Sequence, residues 1–204
     1  MAYIGKVPTA VPLTTSDLAD GIVTVSKLAT TLDLSGNTIT LPSGVGGKVL
    51  QVLSTTKTDA FVSTSSSAVD VTGLSVNITP SSTSSKIFIN VSLAVSNNNS
   101  VNPTRGRIIR VISAIETELD NGDSAGSRDS ASFDIYQGNG NHQEKISLSY
   151  LDSPSTTSEC TYKINLNNDG TSGEILVNRA LTDSSNTFSQ TRTSSTITVM
   201  EIAG

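Results

Sequence analysis

Residues 86–95 alternate apolar and polar side chains without interruption over ten positions. A period of two residues is that of a β-strand, because successive side chains of a strand point to opposite faces of its sheet. The segment therefore predicts a strand with one face in a core. The apolar face holds Ile87, Ile89, Val91, Leu93 and Val95, and the other face holds Lys86, Phe88, Asn90, Ser92 and Ala94.

Shorter runs of the same kind fill the chain from Lys48 to its end, separated by stretches rich in Asn, Gly, Ser and Asp. They predict eight to ten short strands joined by polar turns. This pattern is typical of an antiparallel β-sandwich or jelly-roll-like domain, which we place at residues 48–204. The further predicted strands are residues 48–53, 57–64, 74–79, 105–115, 130–137, 145–151, 159–166, 173–180 and 195–203.

Residues 1–47 have a different pattern, with prolines at positions 8, 12 and 42 and apolar residues in twos and threes between turn residues. Such a segment cannot bury itself in a single copy, so we predict a short extended N-terminal stalk that anchors the protein and wraps with neighbouring copies. Within it, residues 32–41 are interpreted as two short strands about Ser35–Asn37. A loose tail is the alternative. The predicted docking and trimerisation residues are Ile4, Val7, Val11, Leu13, Leu18, Ile22, Val23, Val25 and Leu28.

Charge and cysteine content exclude several classes of protein. The 204 residues carry a net charge of −5, and phosphate binding needs clustered Lys and Arg, so we expect no nucleic-acid partner. The best basic cluster, Arg105, Arg107 and Arg110, is interpreted as the solvated start of a strand. Cys160 is the only cysteine and lies in an apolar alternation, which predicts a buried small side chain. We see no membrane-inserting run.

Candidate catalytic motifs fail on their context. Residues 122–126 match the nucleophile-elbow pattern around Ser124, but that elbow needs a helix after it, and a loop and strand follow here. A triad of Ser124, Asp134 and His142 would be packed into too short a stretch. Glycosidases need aromatic side chains to stack sugars, and the chain has no Trp and four Tyr. We predict that the protein is not an enzyme.

Metal-binding patterns are also incomplete. Asn165, Asn167 and Asp169 alternate as in a calcium loop, but Leu176 stands where a bidentate Glu belongs. His142 has no second His or Cys pair at zinc-ligand spacing. We predict no metal and no cofactor.

Several long segments of the sequence are similar to segments of known phage proteins. Residues 17–29 resemble a short element that recurs in the stalks of phage tail fibres. Residues 47–93, 126–132, 150–164 and 194–204 resemble a domain of structural proteins of marine tailed bacteriophages, especially those of cyanobacteria. The resemblance runs from about Lys6 to Gly204. It implies a trimeric protein of the virion, assembled in the host bacterial cytoplasm, and it carries no catalytic residues.

Taken with the residue patterns, the resemblance predicts a trimeric tail fibre or spike subunit that docks on other virion proteins through its N-terminus. The sandwich would then be displayed toward a glycan or protein of the host surface. A capsid or neck decoration protein without a receptor role is the first alternative, and a polysaccharide or wall hydrolase is the second. The candidate contact residues lie in three polar loops: Asn97, Asn98, Asn99, Asn121, Asp123, Arg128, Asn139, Asn141 and His142.

Overall fold

The computed structural model describes residues 48–98, 102–137, 139–169, 173–185 and 190–204. These residues contain eleven antiparallel strands and no helix, and Gly47–Gly204 is one compact unit, so the predicted all-β class is confirmed. The strands are β1 (Val49–Lys57), β2 (Phe61–Ser63), β3 (Val69–Ile78), β4 (Lys86–Asn97), β5 (Thr104–Ile112), β6 (Ile115–Leu119), β7 (Phe133–Ile135), β8 (Glu144–Asp152), β9 (Cys160–Asn168), β10 (Ile175–Val177) and β11 (Ser195–Ile202).

The strands form two sheets. In sheet A, β4 lies between β11 and β8, β1 is the edge strand beyond β11, and β10 continues the row beside the last residues of β4 and carries β2. In sheet B, β9 lies between β3 and β5, and the far side of β5 pairs with β7 near its start and β6 along the rest. This arrangement is a two-sheet sandwich.

The core lies between the inner faces of the sheets, as the alternation predicted. Ile87, Ile89, Val91, Leu93 and Val95 of β4 are all fully buried. They belong to one cluster with side chains of sheet B such as Leu74, Ile108 and Ile164. Burying an aliphatic side chain of this size contributes about 1.5–3 kcal/mol. The strand continues two residues beyond the predicted end, to Asn97.

Residues 105–115, predicted as one strand, form a hairpin instead. The chain reverses at Ser113 and Ala114, whose φ angles are 50° and 65°, and Ile112 pairs with Ile115 across the turn. Two-residue hairpin turns favour Asn-Gly or Asp-Gly because both central residues take positive φ. Ser-Ala carries no such signal, so residue type alone does not predict a turn at this point.

Three other predicted strands are shorter than expected, and of these residues 173–180 contribute only the three residues of β10. Residues 57–64 contribute the last residue of β1 and the three residues of β2, and residues 130–137 contribute only β7. β7 lies against β5 at Gly106, where an added Cβ would fall 2.1 Å from Cε1 of Phe133. The missing side chain at position 106 therefore makes room for the Phe133 ring.

A largely buried ion pair joins the two sheets near the end of the sandwich where β4 begins. Nη1 of Arg110 on β5 lies 2.8 and 2.9 Å from the carboxylate oxygens of Asp152 on β8, and the Tyr162 hydroxyl on β9 donates to Asp152 Oδ2 at 2.7 Å. Burial, with the Asp152 hydrogen bond, raises the pKa of Tyr162 well above its usual value. Arg110 is therefore not a solvated residue at a strand start, because it points between the sheets.

Cys160 is fully buried as predicted, and burial raises the pKa of its thiol.

The predicted N-terminal stalk, with its nine docking and trimerisation residues from Ile4 to Leu28, lies outside the described residues.

Candidate interaction surfaces

The sandwich has two different ends along the direction of β4. At the β1 end, β1 begins beside the last residues of β11, and the first residues of β4 lie next to them: Val49 pairs with Ile202, which pairs with Lys86. At the opposite end, which we call the loop end, β4 finishes at Asn97. The chain therefore enters the sandwich at one end and presents several long polar loops at the other.

A buried polar network organises the loop end. Asn97 Nδ2 donates to Thr104 Oγ1 at 2.7 Å, and that hydroxyl donates to Asn168 Oδ1 at 2.9 Å. All three side chains are buried, so their hydrogen bonds replace those lost with water. Ser96 Oγ donates to the Gly140 carbonyl at 3.1 Å. The network thereby fixes the β4–β5, β7–β8 and β9–β10 connections relative to one another.

Only two of the three predicted contact loops lie close together. The first and third come together at the loop end, through the Ser96–Gly140 bond and the network around Asn97. Asn97 itself is fully buried and has no surface to offer a partner, Asn98 is half-buried, and Asn99 lies outside the described residues. The remaining candidates have exposed side chains: Asn121, Asp123, Arg128, Asn139, Asn141 and His142.

The second predicted loop, between β6 and β7, lies on the outer face of sheet B. Arg107 holds it there, with Nη2 2.7 Å from Asp129 Oδ2 and Nε donating to the Ser130 carbonyl at 3.1 Å. The Ser132 amide donates to the Gly106 carbonyl at 3.0 Å. A shallow hollow of about 340 Å³ beside the loop is lined by residues that include Arg105, Asp123 and Asp129.

The three arginines of the predicted basic cluster do not act together. Arg105 and Arg107 lie on the outer face of sheet B and Arg110 points inward. Arg105 pairs with Asp169 at 2.6 Å. Arg107 is only 5% exposed, which corrects its interpretation as a solvated residue. Each guanidinium is neutralised by the protein's own carboxylates.

The outer face of sheet A carries an apolar row that sequence reasoning missed. Val52 pairs with Met200, Met200 with Phe88, and Phe88 with Leu151, so one apolar side chain from each of β1, β11, β4 and β8 lies on the same face. Val52 and Leu151, at the two edges, are 53% and 54% exposed. Val49, Leu50 and Ile202 extend the row at the β1 end. We call these seven residues the apolar row.

Two signals in the sequence point to this row. Phe88 is the one large apolar residue on the polar face of the β4 alternation. The first predicted strand, residues 48–53, has apolar residues at successive positions and therefore on both of its faces. Neither signal tells which strands lie side by side, and only their pairing makes the row continuous.

The adjoining positions on the same face are small and polar. The next row consists of Ser54, Thr198, Asn90 and Ser149. Its members bond to one another, with Ser54 Oγ 2.9 Å from Thr198 Oγ1 and Asn90 Nδ2 3.1 Å from Ser149 Oγ. The contrast between the two rows confines the apolar surface to the β1 end.

A buried carboxylate lies on the inner side of the same end. Glu201 of β11 is 1% exposed and accepts hydrogen bonds from the amide and hydroxyl of Ser81, both at 2.6 Å, and from Gln51 Nε2 at 2.7 Å. Burial raises the pKa of this carboxyl group, but the hydrogen bonds from Ser81 and Gln51 outweigh burial and lower it to about 2. Glu201 therefore ties β1 and the β3–β4 connection to β11 in its charged form.

The candidate catalytic and metal-binding residues lie apart or are engaged elsewhere. Ser124 lies in the β6–β7 loop, Asp134 in β7 and His142 in the β7–β8 loop, each with an exposed side chain. Asn167 Oδ1 accepts from Arg107 at 2.8 Å, and Asp169 pairs with Arg105. Within the described ranges, no group of three or more His, Cys, Asp or Glu side chains could hold a metal ion. Nor does any helix there have the length and apolar character to cross a membrane.

Comparison with known proteins gives likenesses to solved structures. No family model matches the sequence, and no curated protein matches it. The crystal structure of the infectious bursal disease virus VP2 subviral particle is similar with a TM-score of 0.37 and 14% sequence identity. The match covers 87% of this chain and 46% of that chain, so the chain spans about half the length of that structure.

Proposed function

We propose that this protein is a non-enzymatic structural subunit of a tailed-bacteriophage particle, a homotrimeric tail fibre or spike. Residues 1–47 dock on other virion proteins and hold the three copies together. The sandwich is displayed outward and attaches to the host surface. The resemblance of residues 17–29 to tail-fibre stalks and of residues 47–93 to marine phage structural proteins supports this assignment.

The observation that carries the proposal is the chemical difference between the two ends of the sandwich. The β1 end, where residues 1–47 join, bears the exposed apolar row, and the opposite end bears polar loops fixed by a buried network. A subunit that anchors through one end and binds through the other needs this distribution. Exposed apolar patches mark protein contacts, whereas rigid polar loops suit the recognition of glycans or proteins.

In a trimer, weak contacts between each copy and the host surface are sufficient for attachment. Three copies of the loop end on one stalk would bind a repetitive surface with an effective affinity far above that of one copy. The exposed loop residues Asn139, Asn141 and His142 are the candidates for such contacts.

Light scattering on the full-length protein tests the trimer. We expect a mass three times the chain mass of 21.2 kDa. The triple variant Ile22→Ser, Val23→Ser and Val25→Ser should shift the protein toward the monomer. A wild-type monomer would contradict the trimeric fibre and favour a decoration protein that assembles only on the particle.

A glycan array tests the attachment role separately. The full-length protein should bind one class of surface glycan, and the double variant Asn141→Ala and His142→Ala should weaken that binding at least tenfold. The matched control is Ile115→Ser, which changes an exposed residue on the β5–β6 hairpin. Equal binding by the double variant and the control would remove the loop end from the attachment role.

A further inference from the structure

The two edge strands of sheet A, β1 and β8, are incompletely covered. Within the described ranges, β1 pairs only with β11 and β8 pairs only with β4, so each has one side without a strand beside it. The inward side chain of Leu53 on β1 is 39% exposed, and Ile146, Leu148 and Tyr150 of β8 are only partly buried against the core. On β3, at the edge of sheet B, the apolar side chains from Val71 to Ile78 are all buried. The margins of sheet A are therefore left open on both sides.

Neither edge carries the features that usually prevent one sheet from pairing with another. Residues 52–56 of β1 and residues 147–151 of β8 contain no charged residue and no proline, and their pairing shows no register shift. Natural edge strands are commonly protected by lysine, proline or a bulge, because an unpaired row of backbone N–H and C=O groups can bind a strand of another molecule. The two edges are therefore suited to pairing with a strand of another copy.

We propose that β1 of one copy pairs with β8 of the next copy, and that this contact closes a ring of three copies through the sandwich. The two strands have nine residues each and run in opposite directions within sheet A. A rotation about an axis along the strands therefore brings β1 of the next copy beside β8 in antiparallel orientation. A head-to-tail contact of this kind joins two different surfaces and can close into a ring. The number of copies rests on the proposed homotrimer, whereas the contact rests on the two edges.

The side chains of the two edges match when Val52 of one copy lies opposite Leu151 of the other. On the outer face, the apolar row then continues from copy to copy, and the next row places hydroxyl opposite hydroxyl. On the inner face, Leu53 lies opposite Tyr150, and each covers part of the other. Directly opposite side chains of an antiparallel pair contribute about 0.2–1 kcal/mol each. The same register brings no like charges together.

Disulfide trapping in the full-length protein tests this contact. In the double variant Ser54→Cys and Ser149→Cys, oxidation should give a covalent product of three chains on a non-reducing gel. The two positions lie on opposite edges of sheet A, three strand spacings or about 14 Å apart, so they cannot form a disulfide within one chain. Cys160 is fully buried and should not react. The double variant Ser54→Cys and Ile115→Cys, with its second cysteine on sheet B, is the matched control and should remain a single chain.

Three results would overturn the proposal: no product of three chains, a series of products longer than three chains, or dimers from Ser54→Cys alone, which would mean that β1 pairs with β1. Light scattering on the wild type reports the trimer separately. A wild-type trimer without the disulfide product would reject the edge contact and leave the proposed function intact, whereas a wild-type monomer would contradict the trimer itself.

Hydrogen exchange gives a second readout that needs no disulfide. Ser149→Lys places a charge on the edge of β8, three strands away from β1 of the same copy. Amides of residues 52–56 should then exchange about tenfold faster than in the wild type, because they lose their partners on the neighbouring copy. In Ile115→Lys they should keep the wild-type rate. Equal rates in all three proteins would show that the two edges do not meet.

Discussion

The two outer faces of the sandwich carry different kinds of side chain. On sheet B, Lys163 pairs with Asp70 and Glu116, and Arg107 holds the β6–β7 loop over the strands. On sheet A, the β1 end presents the apolar row and the adjoining positions present small hydroxyl and amide groups. The described residues therefore cover one face with ion pairs and a loop and leave part of the other face apolar and exposed.

Removing the ion pair between the two sheets should have the largest effect on the free energy of unfolding, because the pair lies in the core that both sheets share. Asp152→Ala removes the carboxylate that joins Arg110 and Tyr162 across the sheets. Leaving Arg110, whose side chain is 16% exposed, without its partner should lower the free energy of unfolding by about 3 kcal/mol, at the lower end of the effect for buried pairs. Urea unfolding of the full-length protein, followed by circular dichroism, measures the change.

Asp152→Asn is the control for this substitution. It keeps an oxygen that can accept from Tyr162 and removes the charge, so its loss should be smaller than that of Asp152→Ala. Equal, small losses below about 1 kcal/mol for both variants would show that the ion pair does not hold the sheets together.

Acid should loosen the β1 end through Glu201. The pKa of this carboxyl group is lowered from its usual 4.5 to about 2, so its stabilisation is fully present above pH 4.5 and is lost as the pH falls toward 2. The total loss is on the order of 3 kcal/mol. Unfolding free energies measured at intervals between pH 5 and pH 2 should fall throughout this window.

Glu201→Gln supplies the comparison, because an amide at position 201 does not titrate. This variant should be less stable than the wild type at pH 6 and should show a flatter decline between pH 5 and pH 2. Parallel curves for the two proteins would mean that other carboxyl groups cause the acid dependence.

The stability of the outer face of sheet B should depend on the buried guanidinium of Arg107. Arg107→Ala leaves Asn167 Oδ1 without its partner and removes the nearer of the two guanidinium groups that contact Asp129, so it should cost about 1–3 kcal/mol. Arg105→Ala is matched on the same strand and face, but its partners Asp169 and Asp129 are both about half exposed, so the loss should stay below about 1 kcal/mol. Similar losses for both variants would mean that the β6–β7 loop is not held by Arg107.

Sequence alone predicted those parts of the fold that depend on local alternation. The inner face of β4 and the burial of Cys160 follow directly from period two, because each strand must bury one face. The turn at Ser113 and Ala114 does not follow, because its positive φ angles are imposed by the pairing of β5 with β6 and not by residue type. Local patterns thus gave the class and most strands, but not every boundary.

The contact surfaces were less predictable, because they depend on which strands are neighbours. Arg110 and Asp152 are 42 residues apart, and the residues of the apolar row lie on four strands from the beginning, middle and end of the domain. Composition marked the loops as polar but could not distinguish the buried Asn97 from the exposed Asn141. Such distinctions come from packing between elements distant in sequence.

The smallest change in overall stability should come from the apolar row. Val52→Ser and Leu151→Ser alter side chains that are already half exposed, so each should change the free energy of global unfolding by less than about 1 kcal/mol. Ile89→Ala, which changes the inward neighbour of Phe88, should cost about 2–5 kcal/mol because it leaves a cavity. Urea unfolding of all three variants measures this contrast between the two faces of sheet A.

A loss of several kcal/mol in Leu151→Ser would mean that the row is part of the sandwich core and needs no further layer. A small loss would mean that the row lies outside the sandwich core, as a surface that contacts another protein requires. The side chains of the row would then contribute little to global unfolding, because most of their apolar area stays in water in the isolated sandwich. Sheet A would differ from sheet B in bearing an apolar surface that the core does not need for its own stability.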